Sequence, residues 1–194
     1  MKMRKVLSAL LVAACTLSLA ACGSSSSKSE TTGASGETAA GSANTAKVID
    51  VDLTSEEYAF GVDKTQPELL EQTNTFIQKI KDDGTLDAIC AKYFGDGEPE
   101  AVESAELDSS KDQLVVATNA AFEPFEYTKG EDYYGIDMEI AKLLADELGK
   151  ELVIENMDFD AVCLSVSQQK CDIAMAGLTI NEEREEYVTF TDSY

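Results

Sequence analysis

The amino-acid sequence predicts an α/β fold, a mostly parallel sheet with helices on both faces. Short apolar segments with strand composition alternate with amphipathic segments of helical spacing across residues 112–194. Glycines follow the helical segments and end them. Strands that alternate with helices form parallel sheets, because each helix returns the chain to the same edge of the sheet.

The first foldable part, residues 47–97, offers too little sheet to fold alone. Its segment "EEYAFGVD" has strand composition, and "TQPELLEQTNTFIQKIKDDG" is a helix with Thr65 as cap and Pro67 in the first turn. The segment "GTLDAICAKYFG" is a second helix that glycine ends. One strand and two helices must therefore pack on strands from elsewhere in the chain.

The second foldable part, residues 112–194, supplies those strands. Four segments have strand composition: "QLVVAT", "ELVIENM", "CDIAMAGLTI" and "VTFTDSY". Three helical segments lie between them: "GIDMEIAKLLADELG", "DFDAVCLSVSQQK" and "NEEREEYV". Parallel sheets of this kind bind ligands at the carboxyl ends of their strands, so the loops that follow the strands are the candidate site.

The N-terminus predicts export and a lipid anchor. Residues 1–21 combine basic residues with a short apolar run that ends in "LAAC", which is typical of a lipoprotein signal peptide. Cys22 is then the lipidated residue, and the Ser/Gly/Thr-rich residues 22–46 are a disordered tether. The alternative is a retained membrane anchor, for which the apolar run is short. We expect an extracytoplasmic protein at the outer face of the cytoplasmic membrane, in the periplasm or at the cell surface.

Composition excludes several classes of function. A formal net charge of −22 repels phosphate, so nucleic acid is not an expected partner. The chain has no histidine and no CxxC motif, so neither a metal nor another cofactor is expected. Cys90, Cys163 and Cys171 fit as small buried apolar residues, and a disulfide between the last two remains an alternative.

The loop "AGLTINEERE" has the elements of a carboxylate seat. Gly177 lets the backbone approach a ligand, Thr179 offers a hydroxyl, and the guanidinium of Arg184 matches a carboxylate with two parallel hydrogen bonds. The alternative is structural: Asn181 caps the helix, and Arg184 pairs with the neighbouring glutamates on its surface.

Aromatic residues in the other two loops could form the walls of the site. Phe122 and Phe159 could cover the apolar part of a small ligand, although each, taken singly, is better explained as a core residue. Asp137 and Asp160 near helix starts are most simply caps or dipole partners. Because the chain lacks histidine and shows no nucleophile with a base, it is not expected to be an enzyme.

Residues 114–194 resemble a known family, the extracytoplasmic solute-binding proteins, family 3, which deliver amino acids to ABC importers. The resemblance rests on "TNAAFEPFEY", "GIDMEIAKLLADELG", "DFDAVCLSVSQQKCDIAMAGLTINEERE" and "FTDSY". The distance from "AGLT" to Arg184 is its most specific part. The resemblance implies a single lobe of the type II periplasmic-binding-protein-like fold, with one antiparallel strand in the sheet.

The resemblance also implies six ligand-binding positions: Asn119, Phe122, Phe159, Gly177, Thr179 and Arg184. In this family the equivalent arginine holds the α-carboxylate of the ligand, helped by the position of Thr179. The backbone at Gly177 can take the α-amino group. The two aromatic positions pack on the ligand side chain, and the position of Asn119 is often near the site.

The order of the segments departs from the family. Residues 47–97 resemble the C-terminal part of the first lobe, which here comes first, so the chain resembles a circular permutation joined by residues 98–111. We expect that acidic linker to be a flexible coil. The chain stops at Tyr194, where the family crosses its hinge, and the second lobe is absent. We expect either a truncated sequence or a single lobe, which would bind its ligand only at millimolar concentration or above.

The sequence thus predicts a solute-binding lipoprotein that captures a small amino acid for an ABC permease, as a monomer. The main alternative is a single-lobe surface lipoprotein that acts as an interaction module without solute transport. An enzyme on the same scaffold is the third reading, since relatives of this fold include dehydratases.

Overall fold

The computed structural model describes residues 56–194, which form eight strands and five helices. The strands are β1 (Gly61–Asp63), β2 (Gln113–Thr118), β3 (Ala121–Phe122), β4 (Glu126–Lys129), β5 (Asp132–Tyr134), β6 (Glu151–Asn156), β7 (Ile173–Ala174) and β8 (Val188–Phe190). The helices are α1 (Pro67–Asp82), α2 (Thr85–Phe94), α3 (Ile136–Leu148), α4 (Phe159–Ser167) and α5 (Glu182–Glu185). The signal peptide, the lipidation of Cys22 and the tether were predicted for residues outside this range.

The main sheet has five strands in the order β6-β2-β7-β1-β8. Strand β2 pairs parallel with both β6 and β7, whereas β1 pairs antiparallel with β7 and β8. The prediction of a mostly parallel sheet with one antiparallel strand is therefore confirmed. The antiparallel strand comes from the first part of the chain and lies between two strands of the second part, so the two parts share one sheet.

Side-chain alternation along β2 gives the sheet its two apolar faces. Leu114 and Val116 join the core that contains the buried faces of α1 and α3, while Val115 and Ala117 pack with the apolar residues of α4. This follows from the period of two in a strand, which sends successive side chains to opposite faces. Helices cover both faces of the sheet, as the sequence predicts.

A second sheet forms where the sequence predicted only a loop. Strands β3, β4 and β5 pair antiparallel in that order, with Phe122 opposite Glu126 and Tyr127 opposite Tyr134. The strands have two to four residues, too few for alternation to show in the sequence. This small sheet holds the loop after β2 in a fixed position.

The expectation of a flexible linker over residues 98–111 is wrong. Val102 is buried and forms an antiparallel bridge with Tyr133. Further along, the Ser104 hydroxyl accepts a hydrogen bond from the Ile154 N–H, and the Ala105 N–H donates to the Leu152 carbonyl. The segment thus satisfies backbone groups at the β6 edge of the sheet, and its acidic side chains point outward from an ordered backbone.

The start of α1 also differs from the prediction. The N-cap is Gln66, with Pro67 in the first turn, and no side chain caps the helix. The Thr65 backbone N–H and hydroxyl both donate to the Asp63 carboxylate instead. Thr65 therefore closes a turn after β1 and does not cap the helix.

The cysteines of the described region are free thiols. Cys163 and Cys171 are buried in the apolar cluster around α4, and Cys90 is half-buried. Burial raises the pKa of the Cys163 and Cys171 thiols above its ordinary value. The interpretation of these residues as small apolar core residues fits their positions, and the alternative disulfide is not formed.

No helix within residues 56–194 is long and apolar enough to cross a membrane. In the same residues no group of three or more His, Cys, Asp or Glu side chains is arranged to hold a metal ion.

A buried hydrogen-bond network fastens the first part of the chain to the second. The Glu139 carboxylate, 6% exposed, accepts from the Lys92 ammonium at 2.6 Å, the Tyr93 hydroxyl at 2.7 Å and the Glu100 N–H at 3.2 Å. The Tyr93 hydroxyl in turn accepts from the Gly135 N–H. Helix α2, the segment after it and helix α3 thus meet at one carboxylate.

Glu139→Ala should lower the free energy of unfolding by about 2–4 kcal/mol, because it leaves the half-buried Tyr93 hydroxyl and the Glu100 N–H without their acceptor and the Lys92 ammonium with only the exposed Glu100 carboxylate. Urea unfolding of the purified protein measures the change. Glu147→Ala is the control, because that residue lies on the same helix and pairs with Lys79 where both side chains are about half exposed. We expect no measurable change for the control, and equal losses in the two variants would contradict the role assigned to Glu139.

Candidate functional site

One pocket brings together all six of the sequence-predicted binding residues. It has a volume of about 350 Å³ and lies at the carboxyl ends of β2, β6 and β7. Its walls are formed by Glu56, Tyr58, Asn119, Ala121, Phe122, Glu126, Phe159, Ala176, Gly177, Thr179 and Arg184. This is the edge at which parallel sheets bind ligands. That the six residues bind a ligand remains a prediction.

Arg184 is held at one wall of the pocket with most of its donors unused. Its Nη1 donates to the Thr179 carbonyl at 2.7 Å, and its guanidinium carbon lies 5.0 Å from the centre of the Phe159 ring. A guanidinium has five N–H donors, and Arg184 makes no other side-chain hydrogen bond and no salt bridge within the described residues. The remaining donors can receive a carboxylate.

The structural alternative for the loop "AGLTINEERE" had two parts, a helix cap and a surface ion pair, and the first part is correct. The Asn181 side chain caps α5 by accepting from the Arg184 backbone N–H at 2.9 Å. The other half is wrong, since the Arg184 side chain pairs with none of the glutamates of its helix. The cap and the carboxylate seat are compatible, because the cap uses the backbone of Arg184 and leaves its side chain available.

Gly177 lies close against an aromatic ring in a backbone conformation that favours glycine. Its φ of +50° lies in the left-handed region, and a Cβ there would come within 2.9 Å of the Phe122 ring. Its N–H donates to the Asp137 carboxylate at 2.9 Å. The backbone after β7 is therefore in contact with an aromatic wall on one side and with a buried acid on the other.

The two predicted aromatic walls are surface residues rather than core. Phe122 is 44% exposed and Phe159 is 40% exposed. Phe122 stacks on Phe125 with ring centres 5.3 Å apart, and Phe125 meets the ring of Tyr58 edge-on at 4.8 Å. Asn119 ties two of the loops together, because its side-chain amide donates to the Met157 carbonyl at 2.7 Å.

The sequence reasoning missed two buried acids at the pocket. Glu126 lies in the pocket wall, is 1% exposed, and has no hydrogen-bond partner at Oε2. Asp137 is fully buried and accepts from the Gly177 N–H and from the Tyr194 hydroxyl. Asp137 is not a cap, because the N-cap of α3 is Gly135; it lies in the first turn, where the helix dipole favours its charge.

Burial raises the pKa of both acids. The pKa of Glu126 rises from 4.5 to about 10, mainly by desolvation and further by the charge of Asp137. Burial raises the pKa of Asp137 from 3.8 to about 6, against the opposing effect of its hydrogen bonds from Gly177 and Tyr194. Two neighbouring buried carboxyl groups do not both ionise at low cost, so the pair keeps a proton to higher pH than free acids do, and the unpartnered Oε2 of Glu126 is the atom that lacks a donor.

The missed residues gave weak signals in the sequence. Glu126 stands between Phe125 and Tyr127 in a four-residue strand, and a charged residue flanked by two aromatics could have been flagged as buried. Tyr58 reaches the pocket through its bridge to Thr179, a pairing across most of the chain that no local pattern reveals. Such residues become visible only once the strand order is known.

Comparison with known proteins gives one family match. Residues 114–194 match the model of the bacterial extracellular solute-binding proteins, family 3. The Arginine-binding extracellular protein ArtP of Bacillus subtilis (strain 168) is 36% identical over 87 residues, which are 45% of this chain and 34% of that protein. The Cyclohexadienyl dehydratase of Pseudomonas aeruginosa PAO1 is 35% identical over 82 residues, 42% of this chain and 31% of that protein.

Each match covers only part of this chain and part of the similar protein. The chain spans about a third of the length of the curated relatives that it matches. Among solved structures, the arginine-bound form of domain 1 from TmArgBP is 37% identical, with 42% of this chain and 67% of that chain covered and a TM-score of 0.38. The matched part contains every residue of the pocket wall except Glu56 and Tyr58.

Gly177→Ala should destabilise the protein by about 2–3 kcal/mol, because the new methyl group meets the Phe122 ring in addition to straining the backbone. Gly130→Ala is the matched control. Its φ is also positive, +69°, but its Cβ would meet nothing within 4 Å, so we expect a loss of only about 1 kcal/mol. Urea unfolding compares the two, and a Gly177→Ala loss no larger than that of Gly130→Ala would contradict the close contact.

The free energy of unfolding should fall as pH rises from 6.5 to 8.5. The unfolded chain has already released the proton of Glu126 in this range, whereas the folded protein retains it up to a pKa of about 10. Stability is therefore lost with rising pH, by up to about 1.4 kcal/mol per unit. The absence of histidine removes the usual competing titration.

Urea unfolding at three pH values measures this slope. Glu126→Gln should flatten it, whereas Glu131→Gln, at an exposed position of the same small sheet, should retain it. A wild-type slope that survives in Glu126→Gln would show that another group is responsible.

Proposed function

We propose that the chain, whose residues 114–194 match the model of the bacterial extracellular solute-binding proteins, family 3, binds an amino acid for delivery to an ABC importer. The described residues form one lobe of the type II periplasmic-binding-protein-like fold. We propose that the ligand occupies the pocket at the carboxyl ends of β2, β6 and β7.

The observation that carries the proposal is that one pocket contains both an available guanidinium and a buried acid. An α-carboxylate would meet the unused N–H groups of Arg184 beside Thr179, in the bidentate geometry that arginine favours. The α-amino group would meet the backbone at Gly177. Phe122 and Phe159, both exposed in the empty pocket, would cover the apolar part of the ligand.

We propose that the ligand carries a positively charged side chain, as arginine does. Support comes from the unpartnered Oε2 of Glu126 and from Glu56, the second acid in the wall. Several similar proteins are arginine-binding by name, among them ArtP of Bacillus subtilis. An acidic ligand would add a further negative charge beside the buried acids Glu126 and Asp137, and a purely apolar one would leave Glu126 without a partner.

We further propose that the chain is a circular permutation of this lobe. The supporting observation is that β1, from the part that precedes the family match, lies between β7 and β8 of the matched part. Helices α1 and α2 pack with α3, and residues 98–111 join the two parts along the sheet edge. The lipid anchor at Cys22, the tether of residues 22–46 and a monomeric state belong to the same proposal.

We propose binding without catalysis. One similar protein is a dehydratase, so the scaffold is compatible with chemistry. Here the chain has no histidine, and within the described residues the Thr179 hydroxyl has no hydrogen bond to a base that would make it a nucleophile. The Tyr58 hydroxyl donates to Glu56, and burial raises the pKa of that hydroxyl above its ordinary value.

Arg184→Ala should weaken arginine binding by about 10- to 100-fold, because charge-assisted hydrogen bonds to a carboxylate contribute about 1.5–3 kcal/mol. Titration of the ¹⁵N-labelled protein with arginine, followed by NMR, measures the affinity even where it is weak. Lys64→Ala is the control, because that exposed cation donates to the Glu186 carbonyl near the same helix but lies outside the pocket.

Equal affinities in Arg184→Ala and wild type would contradict the carboxylate seat. The absence of any response to amino acids in the wild-type protein would favour the alternative, a surface lipoprotein that acts as an interaction module.

A further inference from the structure

We propose that Glu126 exchanges its proton for the positively charged side chain of the ligand, so that each cationic ligand bound releases one proton to solvent. The inference rests on the proposed function, that the pocket binds an amino acid. It adds the means by which a cation is selected and the dependence of that selection on pH.

Glu126 lies at the buried end of the pocket. Its side chain is 1% exposed and its Oε2 has no hydrogen-bond partner, whereas the two aromatic walls are 40% exposed or more. The Oε2 atom would lie 3.7 Å from a Cβ placed on Gly177. A ligand that reaches past Gly177 therefore meets a carboxyl group that the protein itself leaves unsatisfied.

The charged groups around Glu126 come from four directions. Asp137 approaches from α3, Tyr58 from the segment before β1, Tyr194 from the segment after β8, and Arg184 from the opposite wall on α5. Glu56, in the same wall, accepts from the Tyr58 hydroxyl. Within the described residues, no lysine or arginine forms a salt bridge with Glu126 or Asp137. The surroundings are therefore mainly acidic, and Arg184, the cation in the pocket wall, forms no salt bridge with either acid.

Two buried carboxylates without a cation cannot both remain ionised at low cost. Asp137 retains its charge, because it accepts hydrogen bonds from the Gly177 N–H and the Tyr194 hydroxyl and lies at the start of α3. Glu126 has no such donors at Oε2 and takes the proton, in agreement with a pKa of about 10 in the empty pocket. The empty pair carries a charge of minus one.

This exchange conserves atoms and leaves the net charge of the buried group unchanged. A protonated Glu126 loses its proton to solvent and becomes a carboxylate, and the guanidinium or ammonium of the ligand takes the place of the proton. The buried group of two acids and one cation again has a net charge of minus one. A neutral side chain of the same size offers no positive charge, so Glu126 retains its proton and binding releases none.

The pH dependence follows from the released proton. Below the pKa of the empty site, proton release makes binding tighter as pH rises, by up to tenfold for each unit. Arginine retains its guanidinium charge throughout this range. Citrulline has a neutral ureido group in place of the guanidinium, so its affinity should stay constant within about twofold.

The test is a set of NMR titrations of the purified protein with arginine and with citrulline at pH 6.5, 7.25 and 8.0. We expect the arginine dissociation constant to fall by at least tenfold across this range and the citrulline constant to stay flat. Calorimetric titrations in two buffers with different ionisation enthalpies give the number of protons released on binding. We expect close to one proton released for each arginine bound. Glu126→Gln, which retains the size of the side chain, should make the arginine titrations independent of pH.

Each contrary outcome has a distinct meaning. Arginine that binds with a constant affinity across the pH range overturns the proton exchange and leaves the proposed function intact. An equal slope for citrulline overturns the assignment to the side-chain cation, and this comparison needs no variant. A wild-type slope in Glu126→Gln overturns the assignment to Glu126. Failure of every amino acid to bind at any pH contradicts the proposed function itself.

Discussion

The pocket depends on the hydrogen bond from the Gly177 N–H to the buried carboxylate of Asp137. Asp137 also accepts from the Tyr194 hydroxyl, and the Tyr194 ring stacks on Phe60 with centres 4.4 Å apart. One fully buried acid thus joins the start of α3, the loop after β7 and the segment after β8. Burial of the neighbouring Glu126, and after it the charge of Asp137, raises the pKa of Glu126, so the acid that shapes the pocket also affects its charge.

For this fold, the order of the segments along the chain matters less than the order of the strands in the sheet. Strand β1 lies between β7 and β8, although both of these partners are more than a hundred residues away in sequence. The apolar faces of α1 and α3 enter a common core with the strands, and Glu139 connects α2, the following segment and α3. A lobe held in this way by non-local contacts tolerates a change in where its chain is joined.

Local patterns predicted much of this fold and the residues that the pocket brings together. The periodicity of β2 and α3, and the spacing from Gly177 to Arg184, are visible in short windows because strands and helices impose them. The ordered segment at Val102 was not predictable, because its acidic composition conceals backbone pairing at the β6 edge. Glu126 was missed for a related reason: its importance comes from burial beside Asp137, which depends on how β4 packs on α3.

The central claim is that an amino acid lies between Arg184 and Glu126. A crystal structure of the protein grown with arginine tests it most directly, because the two ends of the ligand are chemically distinct. The account predicts the ligand carboxylate in hydrogen-bond contact with the Arg184 guanidinium and the ligand guanidinium on the Glu126 carboxylate. Arginine bound in the reverse orientation, or bound at another surface with this pocket empty, would contradict it.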